Sequence, residues 1–260
     1  MKLVTAIMGD NAKDTINLCI DSVIDIADKV FFIWGTECKE TMKILGEYEK
    51  SHDNLCIVER KYEHEHKGCN GRARNAYIKE INKWIKEENI TEDVWVLVID
   101  PDEFVEDITK LKEFLKSDEN KYDAYGIHMH HFIGDLGHVD SAKDVHYCPA
   151  RLFKFNKDIT YPEIAHSLPK NIGNQQALLV VTTLWHLAYC RNMFWILRRF
   201  KQNLEKSTIH TKDFLNKWYM AHLTGNYPTA VIKTNQLPKQ LRDKFMIDNV
   251  VKEIMTREKK

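Results

Sequence analysis

Residues 3–9 form a short apolar run that stops at Gly9-Asp10-Asn11, the pattern of a buried strand meeting a loop. From Asp14 onward, Ile16, Leu18, Cys19, Ile20, Val23, Ile24 and Ile26 predict a helix with one broad buried face. Val30-Phe31-Phe32-Ile33-Trp34 predicts a second strand, closed by Gly35-Thr36, and Glu40 to Lys50 a helix. Leu55-Cys56-Ile57-Val58 predicts a third strand, Gly71 to Lys86 a helix, and Val94 to Ile99 an unbroken apolar strand. Strands that are continuously apolar, alternating with helices, imply a largely parallel sheet covered on both faces. Ligands bind such sheets beyond the carboxyl ends of the strands. Gly9-Asp10-Asn11, Gly35-Thr36 and Asp100-Pro101-Asp102 all fall at that edge.

After residue 120 the rhythm changes. Tyr122 to Phe132 and Ala150 to Phe155 read as strands, joined by a polar segment with Gly134, Gly137 and Asp140. Val180 to Leu187 reads as a further strand, while 191–206, 212–222 and 241–256 read as helices. The expectation is a single mixed α/β domain, residues 1–190, with a helical extension, residues 191–260, packed on it.

Composition narrows the function. Forty-three per cent apolar residues in 260 suffice for a substantial core, and 38 basic residues balance 38 acidic ones. A balanced chain without a clustered basic face gives no case for nucleic acid. The N-terminal apolar run is too short for a signal peptide, and no transmembrane segment is expected. The six cysteines are scattered, with no C-x-x-C pair, so reduced thiols and a cytoplasmic location are expected.

The strongest chemical signal is Ile99-Asp100-Pro101-Asp102-Glu103, where a buried strand delivers two carboxylates to the ligand edge. Hard oxygen donors of this kind suit Mg²⁺ or Mn²⁺ shared with phosphate oxygens. Arg72 and Arg74, at the start of a helix, are candidates to steer a diphosphate. Two same-face imidazoles, His128 and His130, are candidate zinc ligands that His138 or His146 could supplement; His131 points away. Trp195, Arg198, Arg199 and Lys201 share a helix with Met193, Phe194, Ile196, Leu197 and Phe200, a pattern that favours packing on the core over a membrane surface.

Six segments, taken in order over roughly residues 3–200, carry a family resemblance. They are Val4 to Asn11 with Ala27 to Thr36, then Gly71-Arg72-Ala73-Arg74-Asn75-Ala76, and the strand ending Asp100-Pro101-Asp102. Ala150-Arg151-Leu152-Phe153-Lys154, Ile164-Ala165-His166 and Trp185-His186-Leu187-Ala188-Tyr189 follow. Together they resemble family 2 glycosyltransferases of the Asp-X-Asp type. The resemblance implies a GT-A (Rossmann-like) fold, a UDP- or GDP-sugar donor, and a glycan, lipid-linked or protein acceptor. It implies Asp102 as a ligand of Mn²⁺ or Mg²⁺, His186 as a further ligand, and Asp100 facing the ribose or the ion. The main chain of Ala6, Ile7 and Met8, with Arg74, would border the base and ribose.

Two positions depart from the family pattern. Ile33-Trp34 stands where an Asp usually grips the base, so Trp34 is a candidate to stack on it. His166-Ser167 stands where many relatives read His-Glu. Glu163 is the first candidate for the base that removes the acceptor proton in an inverting transfer, with His166 and Asp135 as alternatives. A nucleotidyltransferase would use similar carboxylates, but Gly9-Asp10-Asn11-Ala12-Lys13 makes a poor phosphate loop. A non-catalytic sugar-nucleotide or glycan binder is the other rival.

Overall fold

A computed structural model describes residues 1–9, 12–35, 38–60, 69–133, 135–140, 150–163, 169–189, 229–231, 237 and 241. The chain divides into two compact units. One comprises Met1–Met129 with Val145–Trp185, and the other His130–Asp144 with His186–Lys260. The expected boundary at 190/191 lies outside the described residues, as do the expected helices at 191–206 and 212–222 and, apart from Leu241, at 241–256.

The first unit is built on β1 (Lys2–Gly9), β2 (Lys29–Trp34), β3 (Leu55–Glu59) and β4 (Val94–Ile99). These four pair in parallel, in the order β3-β2-β1-β4. Beyond β4 the sheet continues antiparallel through β8 (Ala150–Lys154) to the start of β6 (Ala124–Ile133). The short β5 (Glu103–Val105) pairs with β9 (Gln175–Tyr189), which also pairs with β6. In the second unit, β7 (Asp135–Asp140) lies between the end of β6 and β10 (Thr229–Val231), antiparallel to both. The fold is thus mixed α/β with a largely parallel core sheet, as expected.

Alternation explains why β1 and β4 read as unbroken apolar runs. Trp95, Leu97 and Ile99 enter one core with Leu3 and Ile7, beneath α1 (Ile16–Asp21), α2 (Lys39–Ser51) and α4 (Ile108–Lys116). Val94, Val96 and Val98 enter the other with Val4, Ala6 and Met8, against α3 (Cys69–Glu87). Both faces of the sheet are therefore dry, and each position of β4 is buried.

Three elements differ from the sequence expectation. The first helix ends at Asp21 rather than running to Ile26. There Ser22 Oγ donates to Cys19 O (2.7 Å) and accepts the N–H of Val105, while Val23 and Ile26 bond three residues back in tight turns. The polar segment after β6 contains a strand, β7, paired with the neighbouring β6 and with β10, which is remote in sequence. α4 follows β5 directly, capped by Asp107, whose carboxylate accepts the Lys110 N–H at 2.9 Å. Among the described residues no helix is long and apolar enough to cross a membrane.

Strand order reverses beside β1, since β2 and β3 lie on one side and β4 on the other. In such sheets ligands bind beyond the carboxyl ends of the strands at the switch point, here β1 and β4. Backbones meet closely around it. A Cβ at Gly9 would fall 2.9 Å from Pro101 Cδ and closer still to its Cγ. A Cβ at Gly71 would fall 2.8 Å from the Pro162 carbonyl carbon and 3.0 Å from Glu163 Cα. Because main chain cannot step aside, Gly71→Ala is expected to cost about 1–3 kcal/mol, read as a lower urea midpoint.

Candidate functional site

At the end of β4 the chain turns at Asp100-Pro101, and the Glu103 N–H closes the turn on Asp100 O at 2.9 Å. Its carbonyls are anchored from α1. Thr15 Oγ1 donates to Pro101 O at 2.9 Å and Cys19 Sγ to Asp100 O at 3.6 Å. Glu103 is fully buried and does two jobs. One carboxylate oxygen accepts the Asp100 N–H at 2.8 Å, and the other meets Arg151 Nη2 at 2.6 Å. The same Nη2 stands 3.4 Å from Asp100 Oδ2. Arg151 comes from β8, so a charge on one strand fixes the turn that follows another.

Burial pushes Glu103 up to about 8, opposed by Arg151 and reinforced by Asp100 and Asp102. Burial works against the charge on Arg151 too, but the two carboxylates hold it above its ordinary value. Asp102 is also buried, whereas the Asp100 side chain is one-third exposed. Asp100 and Glu103 thus share one buried guanidinium, with the buried Asp102 close by. The Cys19 thiol is pushed well up by its burial and by the same acids, which disfavours its thiolate form.

A second group forms where α3 meets the segment after β8. Asn75 clamps the Tyr161 backbone at both ends, Nδ2 donating to Tyr161 O (2.9 Å) and Oδ1 accepting its N–H (2.7 Å). The buried Arg74 places its guanidinium 5.4 Å from the Tyr161 ring centre, and Tyr77 packs edge-on to the same ring. Arg72 Nη1 meets Glu163 Oε2 at 2.9 Å, and the Arg72 carbonyl accepts from Arg60. Glu163 itself is 60% exposed, open to an incoming molecule.

The remaining sequence candidates fall as follows. Ala6, Ile7 and Met8 are buried in the central strand, their side chains divided between the two cores. Trp34 ends β2 opposite Gly9, packs in the core beneath α1 and α2, and its buried indole N–H has no hydrogen-bond partner among the described residues. His186, on β9 in the second unit, contacts His131, with Nδ1 atoms 2.7 Å apart. His128 and His130 are half-buried positions on β6, alternating with buried Ile127 and Met129. His166, His146 and the side chains of Asp135 and His138 lie outside the described residues.

No family model and no curated protein matches the chain by sequence. Solved structures do. TarS of S. aureus is 15% identical, over 85% of this chain and 43% of that one, with a TM-score of 0.50. The fold is GT-A. TarS residues 1–349 in complex with UDP-GlcNAc (15% identity, 86% of this chain and 72% of that, TM-score 0.49) also match. So does the mannosyltransferase PcManGT from Pyrobaculum calidifontis in complex with GDP-Man and Mn²⁺ (13%, 86% and 73%, 0.47). The chain spans less than half the length of the first TarS structure.

Within the GT-A sheet, Asp100 and Asp102 stand at the switch point between β1 and β4. Among the described residues, no group of three or more His, Cys, Asp and Glu is arranged to hold an ion by itself. Two hard carboxylates nonetheless fit Mg²⁺ or Mn²⁺, which take one or two protein oxygens and complete their shell with phosphate and water. Sequence reasoning named Glu103 and Arg151 only as parts of motifs. The available signal was an arginine opening an apolar strand and an acid opening another, neither of which can be buried alone.

Proposed function

We propose that this chain is a metal-dependent glycosyltransferase that moves a sugar from a UDP- or GDP-sugar to a hydroxyl of a glycan, lipid-linked or protein acceptor. The observation that carries the reading is the acidic turn Asp100-Pro101-Asp102-Glu103 at the switch point of a GT-A sheet, held by a single buried arginine. Residues 1–190 form the donor-binding and catalytic part, and 191–260 an extension.

Asp102 would hold the ion against the diphosphate and Asp100 would face the ribose or the ion; His186 is a further candidate ligand only through the resemblance. When bound, Mn²⁺ or Mg²⁺ neutralises charge gathering on the departing diphosphate. Main-chain groups at Ala6, Ile7 and Met8 border the nucleotide together with Arg74, and Trp34 stands at the base end. Glu163 takes the acceptor's proton as its oxygen bonds to the anomeric carbon and the bond to phosphate breaks, inverting that carbon. Its ion pair with Arg72 fixes the carboxylate's orientation, and its exposure lets an acceptor reach it.

The test is calorimetric titration of UDP and GDP into the full chain, with Mn²⁺ and with chelator. Manganese-dependent binding of one nucleotide is expected, and binding of neither would sink the reading. Turnover of the matching sugar nucleotide, lost in Glu163→Gln with nucleotide affinity retained, separates the transferase from a binding protein.

A further inference from the structure

The second unit holds a contact that the proposed donor chemistry uses only by half. His131 on β6 and His186 on β9 bring their Nδ1 atoms to 2.7 Å, with ring centres 4.8 Å apart and ring planes at 87°. Both side chains are half-buried, and the two strands that carry them pair with each other. A hydrogen bond between two Nδ1 atoms uses one proton, so at least one ring is neutral and presents a lone pair to the other. Both rings in their Nε2–H form turn two lone pairs toward one point. That arrangement favours a cation at the point over the neutral pair.

The spacing suits such an ion. Two adjacent ligands with bonds of about 2.1 Å stand about 3.0–3.4 Å apart. The pair must therefore open by only about 0.3–0.7 Å, within reach of small χ adjustments. Imidazole is a borderline donor that suits zinc, nickel and related ions over magnesium. Two protein donors leave coordination positions for water or a ligand.

We propose that His131 and His186 together chelate a divalent transition-metal ion, of the Zn²⁺, Ni²⁺ or Co²⁺ class rather than Mg²⁺. His131 has no part in the resemblance to glycosyltransferases; its role comes from the contact. The chelate stands on this geometry whether or not the chain transfers sugar.

The test uses the full chain, stripped with chelator and free of nucleotide. Titrated Ni²⁺ and Zn²⁺ are expected to bind at one site per chain, with Mg²⁺ at least about 100-fold weaker. His131→Gln and His186→Gln are each expected to weaken that site at least about tenfold and to abolish the visible spectrum of bound Co²⁺. A second readout needs no variant. Zn²⁺ should protect His131 and His186, among the twelve histidines, from carbethoxylation in peptide mass maps. No binding in the wild type, unchanged Ni²⁺ affinity in His131→Gln, or no protection of the two residues would each overturn the proposal. UDP and GDP titrated into His131→Gln, which leaves every residue of the proposed donor site in place, report separately on that site, so the two readings fail independently.

Discussion

Arg151→Met is expected to destabilise the protein by about 3–5 kcal/mol. The loss would appear as a lower urea midpoint with an unchanged slope. Methionine fills similar space, so packing survives and the missing guanidinium dominates. Glu103 has a side chain only 1% exposed and would then sit in a dry site beside Asp100 and Asp102 without a counter-charge. Glu103→Gln alone keeps an oxygen for the Asp100 N–H but leaves the arginine the longer, 3.4 Å contact with Asp100. The double variant removes both charges, and should recover about 1–3 kcal/mol relative to the sum of the singles. A cost below about 1 kcal/mol for Arg151→Met would place the pair with surface ion pairs and remove the argument that it fixes the turn.

Asp102→Asn is expected to leave the melting temperature within a few degrees while reducing transfer about 10³-fold. A metal at a developing diphosphate supplies several kcal/mol of charge stabilisation, and each 1.36 kcal/mol is tenfold in rate. Asparagine keeps shape but offers a neutral oxygen, so manganese-dependent nucleotide binding should fall with the rate. Calorimetry and initial rates on one preparation check both. Retention of manganese-dependent binding in the variant would remove Asp102 from the metal site.

Why the core sheet was legible, and parts of the site were not, follows from which interactions are local. Val94 to Ile99 is dry on both faces, so the sequence shows an unbroken apolar run whose meaning is unambiguous. Asp100 and Asp102 stood out for the same reason, being charged residues directly after such a run. Glu103 did not, because only Arg151, 48 residues away, makes a buried acid tenable at the head of a strand. β7, with its two aspartates, a glycine and a histidine, has little strand propensity, and its ladders to β6 and β10 hold it extended. α4 could have been read: Asp107 caps it, and Ile108, Leu111 and Leu115 mark one buried face. Arg74 and Asn75 stood out as parts of a motif at a helix start. Asn75 also clamps the Tyr161 backbone and Arg74 lies against its ring, a pairing across 86 residues that no local pattern announces.

That distance shapes how the chain emerges from a ribosome. α3 and the strands it covers are complete by Ile99, yet Ile159, Tyr161 and Ile172, which share their core, are still to be made. At about 5–20 residues per second, the Asn75 clamp waits roughly 4–17 s for Tyr161. Over that interval Ala73, Tyr77 and Val98 lack these later partners, a sticky surface on a nascent chain. Slow codons placed before residue 161 would lengthen the exposure and lower soluble yield, whereas the same codons after Ile172 would not.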